Sequence, residues 1–309
     1  MKLFVTGVAG QLGHDVVNEL SARGHYAIGS DVVDYTAAQF TTGEAPVDEL
    51  IYEKLDITDE AAVKTVIEKY KPDAIIHCAA WTAVDATEDP ENWEKVDRIN
   101  HLGTQYIAEA ARSIDAKMIY ISTDYVFDGQ GERPWQPDDK NYAPLNVYGQ
   151  SKLDGEVAVA ETLSKFFIVR IAWVFGLNGK NFIKTMINVG KTHPEVRVVA
   201  DQIGTPTYTY DLARLLVDMI ETDKYGYYHA TNDEGGEYIS WADLAEEAYR
   251  IAGMDVKVNR VTTAEYGASI AARPFNSRLD KSKLEAEGFT PLPHWKDAVK
   301  RYIREANLL

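Results

Sequence analysis

The feature that most constrains this chain is a glycine-rich turn close to its start. A short apolar run at residues 2–5 leads into TGVAGQLG at residues 6–13, and a helical pattern follows at once. In a strand–turn–helix unit of this kind, Gly7 permits the tight turn, Gly10 lets the backbone approach a pyrophosphate, and Gly13 lets the helix lie close to the sheet. The spacing therefore predicts a dinucleotide-binding unit.

The start of the first helix and the end of the second strand predict how the dinucleotide is held. The backbone N–H groups of Gln11 and Leu12 lie at the positive end of the helix dipole, where a pyrophosphate binds. Asp31 closes the second predicted strand, 18 residues after Gly13, where a carboxylate accepts hydrogen bonds from the adenosine ribose. Residues 26–53 contain no Lys or Arg to balance a 2′-phosphate, which predicts NADH in preference to NADPH.

Three further acidic or apolar positions bear on the adenosine side. Asp56 and Ile57 follow another apolar step of the chain and are placed to reach the adenine. Asp34 competes with Asp31 for the ribose, but a solvated loop acid is the simpler interpretation of Asp34.

Apolar runs and helical patterns alternate along the chain, as in a parallel sheet covered by helices. Strands are predicted near 2–5, 26–30, 74–78, 117–121, 166–171, 196–200, 226–230 and 256–261, and helices near 11–23, 58–70, 89–113, 148–163, 181–193, 210–221, 240–252 and 295–306. We therefore predict an α/β fold, a Rossmann-type doubly wound parallel sheet with a smaller C-terminal substrate-binding region. Residues 1–170 form the dinucleotide-binding region in this prediction, later segments near 196–225 rejoin it, and residues 171–309 mainly bind substrate.

The composition excludes several classes of protein. Asp and Glu outnumber Lys and Arg by 48 to 32, and the net charge of −16 repels nucleic acids and anionic membranes. No apolar run reaches the ~20 residues of a membrane span, so we expect a cytoplasmic protein. The single cysteine, Cys78, is interpreted as a small buried side chain, and the seven histidines have no metal-binding spacing, which predicts no catalytic metal. Residues 170–214 hold 6 basic and 3 acidic side chains, a source of positive charge for an anionic substrate.

A tyrosine, a lysine and a threonine suggest the chemistry. Tyr148 and Lys152 are four residues apart at the start of a predicted helix and share one face. A nearby ammonium lowers the pKa of a phenol from about 10, which readies it for proton transfer. Thr123 follows a strand that ends above the cofactor, where its hydroxyl can donate a hydrogen bond to a carbonyl. With the glycine turn, these residues predict a hydride donor, a proton donor and an oxygen-orienting group.

Motifs along the whole chain resemble those of a known family. TGVAGQLG, CAAWTAVD at 78–85, STDYVFDG at 122–129 and YGQSK at 148–152 resemble the extended short-chain dehydrogenase/reductases. Within that superfamily, INHLGT around Asn100, RIAWVFG at 170–176, DQIGTPTY at 201–208 and ARPFNSRLD at 272–280 are most similar to the dTDP-4-dehydrorhamnose reductases. Thr123 is followed by Asp124-Tyr125 in place of the Asp-Glu pair of related dehydratases, which favours simple carbonyl reduction.

The resemblance implies reduction of the 4-keto group of dTDP-4-dehydro-L-rhamnose, with NADH or NADPH as hydride donor. Tyr148 would protonate the alkoxide, and Lys152 would bind the nicotinamide ribose. The cofactor would be flanked by Ala79, Ala80 and Thr82. The positions that match the sugar-nucleotide pocket of the family are Thr82, Val84, Thr123, Asp124, Tyr125, Tyr148, Trp173 and Arg273. A homodimer is left open.

Several of these positions have simpler interpretations. Trp173 can belong to the core, Asp124 can cap a turn, Tyr125 can pack beneath a loop, and Arg273 can pair with a surface acid. Asn100 is interpreted as stabilising a helix irregularity. Two other functions stay open: a 4-ketoreductase acting on a different deoxysugar, and a non-catalytic regulatory subunit, which has no need of the catalytic residues.

Overall fold

Residues 1–34 and 50–309 are described by the computed structural model, and within them seven strands form one parallel sheet. The strands are β1 Lys2–Thr6, β2 Tyr26–Asp31, β3 Ile51–Lys54, β4 Ala74–His77, β5 Lys117–Thr123, β6 Phe166–Ile171, β7 Val174–Phe175, β8 Glu195–Val199, β9 Ile203–Gly204, β10 Thr207–Tyr208, β11 Gly226–His229, β12 Ile239–Ser240 and β13 Lys257–Val261. The α-helices are α1 Gln11–Ala22, α2 Glu60–Tyr70, α3 Val84–Thr87, α4 Trp93–Asp97, α5 Gly103–Ser113, α6 Val147–Thr162, α7 Phe182–Gly190, α8 Thr209–Ile220, α9 Trp241–Ala252, α10 Thr263–Tyr266, α11 Ser282–Ala286 and α12 Trp295–Glu305.

The order of the main sheet is β11-β6-β5-β4-β1-β2-β3, and all of its pairs are parallel. The chain moves outward from β1 to β2 and β3 and then returns to β4, on the other side of β1. The carboxyl ends of β1 and β4 therefore frame the switch point, where open α/β sheets bind their ligands. The predicted Rossmann-type doubly wound fold is confirmed.

The sheet is buried on both faces, as the apolar runs in its strands predict. Leu3 and Val5 of β1 pack into the layer that contains α1 and α8, and Phe4 between them packs into the opposite layer with α2 and α5. All three side chains are fully buried. The alternation fixes the register of β1, because a shift by one residue exchanges the two faces.

Most of the long predicted elements are present, and the differences have local causes. The strand β3 was not predicted, because its polar residues Glu53 and Lys54 resemble a loop and it lies at the sheet edge, paired only with β2. The predicted helix 89–113 is divided into a 3₁₀ turn at Pro90–Asn92, α4, a π turn at Arg98–Leu102 and α5. Within the described ranges, no helix is both long and apolar enough to cross a membrane.

The second half of the chain contributes to the main sheet and also forms small sheets of its own. Helix α8 packs on α1, and β11 joins the main sheet beside β6. In contrast, β8 pairs with β13, β9 with β12, and β7 with β10 in two-stranded sheets. In the segment near 196–225 that we expected to rejoin the first region, α8 does so, whereas β8 packs with α9 and β13. The division at residue 170 stays a prediction.

Candidate active site

The glycine-rich turn has a geometry that only glycine tolerates at two of its positions. Gly7 has a φ of +71°, and a Cβ there would lie 2.7 Å from the backbone nitrogen of Ala79. A Cβ at Gly13 would lie 2.3 Å from the carbonyl oxygen of Gly7. A Cβ at Gly10 would meet only that same oxygen, at 3.2 Å. Gly7 and Gly13 are therefore required by packing, whereas Gly10 leaves space beside the backbone.

The first turn of α1 is available to an anionic group. The N-cap residue is Gly10, and among the described residues no side chain caps this helix end. The N–H groups of Gln11 and Leu12 lie in this turn, where the helix dipole favours negative charge. The Asp31 carboxylate accepts hydrogen bonds from the backbone nitrogens of Ala9, at 3.0 Å, and Val32, at 2.8 Å. Asp31 therefore holds the glycine turn as well as facing the cavity beside it.

A cavity of about 790 Å³ lies at the switch point. It is lined by Thr6, Gly7, Gly10, Ser30, Asp31, Val32, Leu55, Asp56, Ile57, Thr58, Cys78, Ala79, Ala80, Trp81, Glu91, Glu94, Lys95, Arg98 and Ile99. The predicted cofactor residues Gln11, Leu12, Thr82, Tyr148 and Lys152 are not part of this lining. The close backbone approach, the uncapped helix end and the carboxylate fit the pyrophosphate and ribose of a dinucleotide.

A basic side chain that lies just outside residues 26–53 in the sequence is a neighbour of Asp31 in the sheet. Lys54 is the register partner of Asp31 across β2 and β3, one residue beyond the window 26–53, of which residues 35–49 lie outside the described structure. Its ammonium is 2.7 Å from the carboxylate of Asp34, and both side chains are largely exposed. Asp34 is thus an exposed acid paired with a lysine, in agreement with its interpretation as a solvated loop residue.

Tyr148 lies in the first turn of α6, which Asn146 caps by accepting a hydrogen bond from Gly149 at 2.7 Å. Its ring meets the ring of Tyr125 edge-on, with centroids 5.5 Å apart. Burial raises the pKa of Tyr148 well above its usual value, and the charge of Asp124 adds to this. The expected lowering of this pKa by Lys152 is not found: a hydrogen bond with Thr123 lowers it, and burial is the larger effect. A phenol in this state is protonated at neutral pH, as a proton donor must be.

Lys152 is buried one helical turn after Tyr148. Its side chain is 3% exposed, and the ammonium lies 4.1 Å from the ring centroid of Tyr120. Burial lowers the pKa of Lys152 to about 7, against the opposing charge of Glu156 on the next turn of α6. The positive charge of Lys152 is therefore sensitive to pH near neutrality.

Thr123 and Asp124 follow the end of β5 and share a hydrogen bond. The Thr123 hydroxyl donates to a carboxylate oxygen of Asp124 at 3.0 Å and accepts from the backbone nitrogen of Tyr125 at 3.2 Å. Donation from Thr123 to a substrate carbonyl stays a prediction, and it requires the hydroxyl to leave Asp124. Burial raises the pKa of Asp124 to about 6. Protonation of Asp124 would weaken this hydrogen bond, and the Thr123 hydroxyl could then donate to another acceptor.

Asn100 lies within a helix irregularity, and its side chain bonds to residues on either side of it. It is 1% exposed and lies in the π turn before α5. Its side-chain oxygen accepts from the backbone nitrogen of Trp81 at 2.8 Å, and its side-chain nitrogen donates to the Ser151 hydroxyl at 3.0 Å. Asn100 therefore joins the segment after β4 to α6, which carries Tyr148 and Lys152.

Trp173 links the two halves of the molecule at the end of β6. Its φ of +51° lies in the left-handed region, which costs a bulky residue about 1–2 kcal/mol. Its indole stacks on that of Trp241, with ring centroids 4.0 Å apart, and is only partly buried. Trp173 packs against two apolar clusters of the core and keeps an open edge, so the core and pocket interpretations both fit.

Arg273 forms a two-point ion pair with Asp85, a residue of α3. The two nitrogen–oxygen distances are 3.0 and 2.9 Å. The same carboxylate accepts from the backbone nitrogens of Ile270 and Ala271. The pairing with an acid that the sequence left open is therefore the arrangement in the structure. This clasp holds the loop before Arg273 against α3, which begins at Val84, close to the exposed Thr82.

The basic stretch 170–214 does not converge on the cavity as expected. Three of its arginines are engaged elsewhere: Arg170 is buried against Glu156, Arg197 bonds to the carbonyl of Glu265, and Arg214 lies over the ring of Tyr210. The loop after β7 instead reaches the glycine turn through amides. Asn178 donates to the carbonyl of Ala9 at 2.8 Å, and Asn181 donates to the Gln11 side chain at 3.3 Å. Nothing in the local sequence signals contacts across so many residues.

Comparisons with known proteins agree with this site. The family model described as "RmlD substrate binding domain" matches residues 1–308. A dTDP-4-dehydrorhamnose reductase of Streptomyces griseus is 38% identical, with 96% of this chain and 90% of that protein covered. The structure of a dTDP-4-dehydrorhamnose reductase from Clostridium acetobutylicum is 40% identical with a TM-score of 0.87, covering 98% of this chain and 99% of that one.

A second solved structure bears on the cofactor. The dTDP-4-dehydrorhamnose reductase of Bacillus anthracis, in complex with NADP, is 37% identical with a TM-score of 0.86, covering 99% of this chain and 100% of that one. The similarity extends over the whole chain and agrees with the motifs that the sequence shares with the superfamily. The chain belongs to the dTDP-4-dehydrorhamnose reductase family of the extended short-chain dehydrogenase/reductases.

Proposed function

We propose that this chain reduces the 4-keto group of dTDP-4-dehydro-L-rhamnose to give dTDP-L-rhamnose, with Tyr148 as the proton donor. The observation that carries the proposal is the half-buried, protonated phenol of Tyr148 beside Thr123, at the carboxyl end of β5. The neighbouring cavity fits a dinucleotide, and similar proteins that cover nearly the whole chain are named dTDP-4-dehydrorhamnose reductases.

A nicotinamide cofactor, when bound, supplies the hydride for the carbonyl carbon. Tyr148 gives its phenolic proton to the carbonyl oxygen, where negative charge develops. Thr123 orients that oxygen once its hydroxyl no longer donates a hydrogen bond to Asp124. Lys152 holds the ribose hydroxyls and places positive charge near the phenolate that Tyr148 leaves behind.

Binding of NADH in preference to NADPH is part of the proposal. Asp31 supports it, because a carboxylate suits ribose hydroxyls and repels a 2′-phosphate. Lys54 acts in the opposite direction, because it lies beside Asp31 and can balance part of a phosphate charge. While Asp34 holds the Lys54 ammonium, we expect NADH to be favoured and NADPH to be accepted.

The sugar nucleotide is proposed to contact Thr82, Val84, Asp124, Tyr125, Trp173 and Arg273. Arg273 is the cation of this set and suits the diphosphate. To bind it, Arg273 must break its ion pair with Asp85. Trp173 offers its open edge to the sugar or the base.

The decisive experiment mixes purified protein with dTDP-4-dehydro-L-rhamnose and follows NADH and NADPH oxidation separately. A second dTDP-4-keto-6-deoxysugar is run in parallel, to separate this function from that of another 4-ketoreductase. Turnover of the first sugar supports the proposal. Absence of turnover with either cofactor, in protein shown to be folded by circular dichroism, contradicts it and favours the regulatory subunit.

Two further parts of the proposal concern the protein in the cell. A homodimer is proposed through α4 and α6, which contact each other and carry the exposed apolar side chains of Trp93 and Val157. Light scattering on a sizing column tests this, and a monomer at all concentrations contradicts it.

A cytoplasmic location is proposed from the sequence and is checked by cell fractionation.

A further inference from the structure

Three ionisable side chains form one stripe along α6, half-buried at Tyr148 and buried beyond it. Tyr148, Lys152 and Glu156 follow one another at intervals of four residues, so they lie on one face of the helix. Lys152 is 3% exposed and Glu156 is 1% exposed. The mechanism proposed above uses the first two and leaves Glu156 without a role.

Glu156 is held by Arg170 of β6, whose side chain has no exposed surface. The guanidinium makes two parallel bonds to the carboxylate, at 2.8 and 2.7 Å. It also donates to the carbonyl of Pro137 at 3.1 Å and to the hydroxyl of Tyr142 at 2.9 Å. A buried carboxylate without such a partner would take up a proton. Arg170 therefore keeps Glu156 negatively charged inside the protein.

The other groups that face Lys152 carry no compensating charge at neutral pH. On the β4 side, burial lowers the pKa of His77 to about 3 and raises the pKa of the Cys78 thiol to about 12, so both are neutral. The β5 side presents the aromatic ring of Tyr120, and the preceding turn of α6 presents the protonated Tyr148. Two groups favour the ammonium form of Lys152: Glu156, which has the larger effect, and Cys78, whose thiol is neutral at this pH.

We propose that the buried Glu156–Arg170 pair is a positioning device that keeps Lys152 protonated. Arg170 fixes the carboxylate as an anion, the carboxylate lies one helical turn from Lys152, and its field holds the proton on the lysine. The same guanidinium bonds to Pro137 and Tyr142 in the loop before α6. Arg170 therefore fixes both the position of this loop and the charge of Glu156 on α6. The value of this charge to catalysis rests on the proposed function, but the protonation itself does not.

The test measures the titration of Lys152 directly, by NMR of protein labelled with ¹³C at the lysine ε carbons. The Lys152 signal is assigned by its loss in Lys152→Arg. Glu156→Gln keeps the shape of the side chain and removes its charge. We expect this variant to lower the midpoint of the Lys152 titration by about one pH unit, as a lost charge one helical turn away implies.

Tyr142→Phe is the matched control, because it loosens the same network and changes no charge near Lys152. It is expected to lower the melting temperature and leave the Lys152 midpoint unchanged. A paired variant, Glu156→Gln with Arg170→Met, avoids an unpaired buried guanidinium if the single variant does not fold. It is also expected to lower the midpoint, because Glu156, and not Arg170, is among the groups that shift the pKa of Lys152.

An unchanged Lys152 midpoint in folded Glu156→Gln, or in the paired variant, would overturn the proposal. If the protein reduces the substrate as proposed, kcat/KM of Glu156→Gln begins to fall at a lower pH than in the wild type. If it does not, the NMR titration still decides the role of Glu156. Failure of the proposed function and failure of this inference are thereby told apart.

Discussion

The two sides of the active site are built by different means. The cofactor side is made of backbone: two glycines that packing requires, an uncapped helix end and one carboxylate that also bonds to the turn. The proposed catalytic side is made of buried and half-buried side chains whose protonation depends on their surroundings, chiefly Tyr148, Lys152 and Asp124. Backbone geometry is insensitive to pH, whereas buried ionisable groups are not. We therefore expect changes on the first side to alter folding and cofactor affinity, and changes on the second to alter rate and pH dependence.

The largest expected effect is on the catalytic side. Tyr148→Phe removes the proposed proton donor and is expected to lower kcat by about a hundredfold or more. Cofactor affinity and melting temperature should change little. Stopped-flow turnover and fluorescence titration of NADH measure the two quantities. Near-normal turnover would show that another group donates the proton.

The backbone side is tested by two alanine substitutions three residues apart. Gly13→Ala places a Cβ 2.3 Å from the carbonyl oxygen of Gly7, and we expect a loss of about 1–3 kcal/mol in the free energy of unfolding. Gly10→Ala is the control: it makes one contact of 3.2 Å and should mainly raise the KM for the cofactor. Urea unfolding and steady-state kinetics separate the two effects. Equal losses of stability would contradict the division between packing and ligand binding.

The ionisation of Asp124, on the catalytic side, is expected to make the free energy of unfolding depend on pH. Burial raises the pKa of Asp124 to about 6, so the folded state binds more protons than the unfolded state between about pH 4 and 6. Stability from this group is therefore lost as the pH rises through that range. Asp124→Asn removes the ionisation and is expected to raise the free energy of unfolding at pH 8 by about 3 kcal/mol.

Urea unfolding at pH 4 and pH 8 measures the Asp124 effect. The gain from Asp124→Asn should be small at the lower pH and larger at the higher one. A gain that does not depend on pH would assign it to packing.

The smallest effect is expected at the half-exposed clasp between Arg273 and Asp85. Arg273→Met and Asp85→Asn should each cost about 1 kcal/mol of stability or less, because solvent screens the pair. Their effects on substrate should differ. Arg273→Met should raise the KM for the dTDP-sugar, and Asp85→Asn should leave it unchanged or lower it, because it frees the guanidinium. Equal increases in KM would assign both residues to holding the loop.

The cofactor side could be predicted from the sequence because its signals are local. Gly7, Gly10 and Gly13 lie within one turn, and Asp31 lies at the next strand end, so spacing alone brings them together. Lys54 was missed because it becomes a neighbour of Asp31 only through the register of β2 and β3. The proposed catalytic residues could be selected by their motifs. Their protonation could not, because it depends on burial: Tyr148 and Lys152 are one helical turn apart, yet burial is the main cause of the pKa shift of each.

Long-range partners were also beyond the sequence. The clasp joins residues 85 and 273, and the buried guanidinium of Arg170 joins three segments of the chain. A positive charge in the sequence indicates an anionic partner but not which one. Arg170 was counted as charge for the substrate, although it serves Glu156 inside the protein.

The π turn at Arg98–Leu102 has a consequence for how the gene for this chain can vary. A π turn holds one residue more than an α-helix of the same length. Its wider turn takes up that residue, so the helical segments on either side keep their relative direction. Deletion of a single residue there would therefore restore a regular helix and leave both α5 and α4, which places Lys95 at the cavity, packed as before. The deletion would remove the wide turn itself, in which Asn100 bonds to the backbone of Trp81 and the hydroxyl of Ser151. Loss of one codon would thus leave the sheet and the cavity in place and disturb the link between the segment after β4 and α6.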